Sequence, residues 1–95
     1  MTPDKKVTKE MIRELYQLIA SLKSTEDCEA LFDDLCTYKE IEQMAQRLKA
    51  AKLLLEGKTY NQVIEDTDIS SATLSRVSRC VQLGNGYSRL LKDGK

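Results

Sequence analysis

Residues 59–76 read TYNQVIEDTDISSATLSR, and the alternation of capping, apolar and turn-forming residues in this stretch decides the fold. Thr59 is placed to accept a backbone hydrogen bond as an N-cap, and Gln62 stands where a capping-box partner reaches back, so a helix is expected from Tyr60. It is short. Val63 and Ile64 supply its buried face, and Asp66, Thr67 and Asp68 then end the pattern, because their side chains compete for backbone groups in turns. Ser70 caps a second helix, on which Leu74, Val77 and Val81 recur at helical spacing. Ser71, Ala72, Ser75, Arg76, Arg79 and Gln82 are left to point outward. That face is small near its start, free of carboxylates and armed with two guanidinium groups. Such chemistry suits the major groove of double-stranded DNA, where small side chains let the backbone approach and hydroxyl, amide and Arg groups meet phosphates and base edges. Ser70, Ser71, Ala72, Ser75, Arg76 and Arg79 are the candidate DNA contacts. The plainer alternative is a helical hairpin with no nucleic-acid role.

Outward from this pair, the chain reads as helix throughout. Thr8 is expected to cap a helix with the apolar stripe Met11, Ile12, Leu15, Leu18, Ile19 and Leu22. Ser24 or Thr25 opens a second, with Cys28, Leu31, Phe32 and Leu35 on one side. Thr37 with Glu40 forms a capping-box pattern for the longest helix, which is expected to turn Ile41, Met44, Ala45, Leu48, Ala51 and Leu55 inward and to close at Gly57 in a left-handed cap. Gly84, Asn85 and Gly86 mark a turn, and Tyr87, Leu90 and Leu91 make a short last helix. The expected fold class is all-α: about six helices including a helix-turn-helix, in one domain spanning 1–95. Residues 1–7 are expected as a disordered arm, 8–57 as dimerisation helices, 59–82 as the helix-turn-helix and 85–92 as the C-terminal helix.

Composition limits the function. The chain has 95 residues, and Lys plus Arg equals Asp plus Glu at 15 each. The balance hides an asymmetry: residues 1–46 carry six bases against ten acids, and the remainder nine against five. The candidate reader lies in the basic part. No His is present, which removes the commonest general base and every Ser-His or Cys-His arrangement, and no enzyme is indicated. The three cysteines, Cys28, Cys36 and Cys80, lack metal-ligand spacing and are expected as reduced, mostly buried small hydrophobes in a cytoplasmic protein. The polar N-terminus and the lack of a long apolar run give neither a signal peptide nor a membrane span. Wide apolar stripes on so short a chain predict a homodimer that completes its core.

The turn and the SSATLSR ending resemble the helix-turn-helix of bacterial regulators, with Asp68 at the turn position where Gly is usual. From about Leu31 to Leu91, through TYKEIEQMAQRLKAAKLLLEG, ISSATLSR and GNGYSRLL, the chain is similar to the Trp repressor family, nearest its related branch in Gram-positive bacteria. The resemblance implies an intertwined all-α homodimer that represses transcription when a small amino-acid co-repressor aligns its reader heads on an operator. It also implies that Arg47 and Arg76 sandwich that ligand, with Thr37 nearby. A planar guanidinium suits the task, since it forks a carboxylate and stacks on a ring. Two departures carry a prediction. Val77 stands where the tryptophan-binding members have Gly, and Cys80 where they have a small hydroxyl residue. Tryptophan is therefore not the expected effector; a smaller amino acid, histidine among the candidates, or no ligand is. No cofactor is expected. A helical protein-protein adaptor without DNA readout is the alternative function that the neutral net charge leaves open.

Overall fold

The computed structural model describes residues 5–91, and within them the chain is six helices without a strand. They are α1 (Lys5–Ser21), α2 (Thr25–Leu35), α3 (Tyr38–Leu55), α4 (Tyr60–Thr67), α5 (Ser71–Leu83) and α6 (Gly86–Leu91). The chain divides into two compact units, Met1–Thr37 and Tyr38–Lys95.

In the first unit α1 begins at Lys5, ahead of the Thr8 cap expected from the sequence. Lys5 and Lys6 are good helix formers, so the helix runs back past Thr8. The rest of the expected N-terminal arm, residues 1–4, lies outside the described residues. Ser24 caps α2, its Oγ accepting from the backbone N–H of Asp27 at 3.0 Å, with Glu26 and Asp27 in the first turn facing the positive end of the helix dipole. No residue from 8 to 37 is buried. Leu15, Ile19, Leu22, Leu31 and Phe32 are half-buried, while Met11, Ile12, Leu18 and Leu35 stay exposed.

The second unit holds the core. Ala50, Ala51 and Leu53 of α3 meet Val63 of α4, Ile69 of the turn, and Leu74 and Val77 of α5. Leu54, Ile64, Val81, Tyr87 and Leu91 close over this cluster. The inward face of α3 is therefore not the one its periodicity suggested. Ala51 is buried, but Ile41 and Leu55 are only half-buried and Met44, Ala45 and Leu48 are exposed. The cause is tertiary: α4, α5 and α6 all pack on α3, and the buried positions follow that packing, with two alanines where the helices come close. The cysteines also depart from expectation. All three are free, but Cys28 and Cys80 are exposed and Cys36 half-buried, because none faces the core cluster.

Gly57 ends α3 at φ 92, with Lys58 N–H donating to the Leu53 carbonyl and Gly57 N–H to that of Leu54. These two bonds form a Schellman motif, which satisfies carbonyls that the helix end would leave open.

Candidate nucleic-acid interface

The reader pair is built from local hydrogen bonds. Thr59 Oγ1 accepts from Gln62 N–H at 3.2 Å while Gln62 Oε1 accepts from Thr59 N–H at 2.9 Å, so the expected capping box is complete. α4 ends at Asp68, which adopts the left-handed conformation at φ 62 and donates its N–H to the Ile64 carbonyl at 2.8 Å. Asp tolerates that region better than most side chains. Thr67 Oγ1 donates to the Val63 carbonyl at 2.7 Å and accepts from Ile69 N–H at 3.3 Å. Ile69 is then buried at the corner, and Ser70 starts α5 with its Oγ accepting from Thr73 N–H. The turn is anchored to α3 as well: Gln46 Nε2 donates to the Thr67 carbonyl at 2.9 Å.

With Leu74, Val77 and Ser78 turned into the core, α5 leaves Ser71, Ala72, Ser75, Arg76, Arg79 and Gln82 exposed. No acidic residue occurs in the helix, so its formal charge is that of its two arginines. Ser70 at the cap is exposed too. The six residues expected to meet DNA thus lie on one accessible stretch of a single helix and its cap.

Behind this helix lies an open recess of about 410 Å³. Arg47 enters it from α3, and Arg76, Val77 and Cys80 from α5. Four of the five residues expected around an effector therefore share one cavity; the fifth, Thr37, belongs to the other unit, immediately before α3, and is exposed. Met44, Leu48 and Tyr87 complete the lining and were not singled out from the sequence as recess residues. Met44 stands one helical turn before both Arg47 and Leu48, a spacing that could have grouped it with them. Tyr87 could not be found this way, since only the packing of α6 brings it there. Ser88 Oγ fixes α6 by donating to the Val81 carbonyl at 2.7 Å.

Among the described residues no cluster of side chains could hold a metal ion, and no helix is long and apolar enough to cross a membrane.

Comparison with known proteins agrees with this architecture. Residues 10–94 match the model of the family described as Trp repressor protein. YerC of Bacillus subtilis, a protein without an assigned function, is 48% identical over 80 residues, covering 84% of this chain and 77% of its own length. A candidate Trp repressor from Staphylococcus aureus, solved by crystallography, superposes with a TM-score of 0.85 at 37% identity, covering 99% of this chain and 95% of that one. A TrpR-like protein from Eubacterium eligens gives 0.86 at 38% identity, with 95% and 94% covered. A six-helix chain with a capped helix-turn-helix, matched over nearly its whole length, belongs to the Trp repressor family of DNA-binding transcription regulators.

Proposed function

We propose that this protein is a homodimeric, sequence-specific DNA-binding regulator that represses transcription, and that the recess behind α5 is where a small effector acts. The observation that carries the reading is the exposed, carboxylate-free face of α5, held at a fixed angle by the capped turn and by the Gln46 bond to Thr67. Ser71, Ala72 and Ser75 are small enough to let the helix enter a groove, and Arg76 and Arg79 supply forked donors. A second copy is required by the usual symmetry of such readers, whose paired helices meet successive major grooves. The bare apolar faces of α1 and α2, with Met11, Ile12, Leu18 and Leu35 exposed, support that copy as their cover.

Arg47 and Arg76 lining one cavity support an effector that carries a carboxylate, amino acids other than tryptophan being one class. Because Arg76 stands on the reader helix, an occupant of the recess would bear directly on the placement of that helix. The test is an electrophoretic mobility shift on DNA from upstream of the protein's own gene, paired with a promoter reporter. A discrete complex that resists excess unrelated DNA, together with higher reporter output when the gene is removed, is expected. Binding no stronger than to unrelated DNA would overturn the regulator reading, and lower reporter output would overturn repression.

A further inference from the structure

The buried cluster that holds α4 and α5 on α3 is apolar, and α3 contributes to it chiefly through Ala50, Ala51 and Leu53. Burial of this kind is non-directional, so it holds helices together without fixing the angle between them. Two alanines also leave little relief to key one helix into another. A directional contact does that, and one joins α3 to the turn. Gln46 Nε2 donates to the Thr67 carbonyl at 2.9 Å across 21 residues of sequence, and both residues are half-buried. Because α4 ends at Thr67, no N–H of its own helix reaches that carbonyl, and the Gln46 amide supplies the donor. The turn hangs on the same residue: Thr67 Oγ1 accepts from Ile69 N–H, and Ser70 follows as the cap of α5. A shift at Thr67 is thus passed to the end of α5 that carries Ser70, Ser71 and Ala72. The other end has its own tie, the Ser88 hydroxyl on the Val81 carbonyl, so loss of the Gln46 bond frees one end while the other stays held. Gln46 itself borders an open polar hollow of about 730 Å³ and lies outside the buried cluster, so replacing it opens no cavity in the core.

We infer that Gln46 is a positioning residue for sequence readout: its amide sets the angle at which α5 enters the groove, and with it the preference for the operator over unrelated DNA. The inference rests on reading α5 as the DNA-reading helix. Two variants of the full chain test it, Gln46→Met, which keeps length and charge but removes the donor, and Gln46→Lys, which restores a donor. Non-specific binding follows the number of phosphates neutralised, and Gln46→Met leaves that number alone. It is therefore expected to lose about tenfold in affinity for DNA from upstream of the gene, the worth of one hydrogen bond, while binding unrelated DNA within about twofold of the native chain. Its urea midpoint should stay close to native, and Gln46→Lys should recover most of the ratio between the two affinities. A native ratio in Gln46→Met, an equal loss on both DNAs that tracks a lower urea midpoint, or no recovery in Gln46→Lys would each overturn the inference. Amide hydrogen exchange on the DNA-free protein reads the bond separately. In Gln46→Met the Asp68 and Ile69 amides should exchange about tenfold faster while those of Val63 and Leu53 hold their rates. Unchanged exchange at the turn overturns the positioning role whatever the DNA result. A native chain that binds upstream and unrelated DNA alike sinks the regulator reading instead, and faster exchange at the turn would then show that the bond still fixes the turn.

Discussion

Arg79 stands exposed on α5 one turn beyond Ser75, outside the lining of the recess to which Arg76 contributes. Arg79→Ala should weaken specific DNA binding while leaving helix content and assembly intact. Loss of one phosphate contact would also lower the slope of log affinity against log salt by about one unit. Fluorescence anisotropy across a salt series reads both, and an unchanged affinity and slope would remove Arg79 from the interface. Val77 makes a different argument, since it is 2% exposed and its branched side chain occupies both the core and the wall of the recess. Forcing an indole against those methyl groups should cost about 1 to 3 kcal/mol, or roughly 5- to 150-fold in affinity. Tryptophan is therefore expected not to act as co-repressor. Calorimetric titration checks this, and a Val77→Gly chain that gained tryptophan binding would support the steric reason. Tight tryptophan binding by the native chain that also strengthened DNA affinity would refute it.

Among the elements, the α5–α6 junction leaves no room for a side chain at Gly84. A Cβ built on Gly84 would sit 2.7 Å from the backbone carbonyl oxygen of Cys80, the same oxygen that accepts the Gly84 N–H at 2.9 Å. Backbone cannot rotate aside as a side chain can. Gly84→Ala should therefore cost about 1 to 3 kcal/mol, typical of forced overpacking, and loosen α6 from α5. Urea denaturation measures the loss, and a midpoint within error of the native chain would show that the junction relaxes freely. Because Tyr87 lines the recess from α6, the same substitution should also disturb whatever the recess binds. Gly86, two residues on, has nothing within 4 Å of such a Cβ and gives the natural control.

For the whole molecule, the decisive quantity is the apolar surface left over. Among the residues whose burial is described, the buried ones all belong to the second unit, whereas α1 and α2 carry wide apolar stripes with no buried position from residue 8 onward. A 95-residue chain has little spare volume in which to hide them. A stable homodimer is expected, and sedimentation velocity at low micromolar concentration checks it. A clean monomer there would remove both the intertwined assembly and the two-fold operator geometry that depends on it.

The helices, the caps and the exposed face of α5 were legible in sequence because they rest on spacings and contacts a few residues apart. Thr59 with Gln62, Ser24 with Asp27, Gly57 at positive φ and Ser70 before α5 are each fixed by local hydrogen bonds. The turn at Asp68 belongs with them, since its left-handed backbone is closed by the Ile64 carbonyl four residues back. What tertiary structure decided is which side of each helix is inside. The burial of Ala50 rather than Met44 or Leu48 on α3 follows from where α4, α5 and α6 pack, as does the exposure of Cys80. Ile69 sits in a non-helical corner, outside any periodic pattern, and only the closing of the turn onto α3 buries it. The recess is of the same kind: Arg47, Arg76 and Tyr87 lie on three different helices, and only the stacking of α3, α5 and α6 puts them round one cavity. Local spacing determines helices and their ends; long-range packing determines their faces, and with them the cavity.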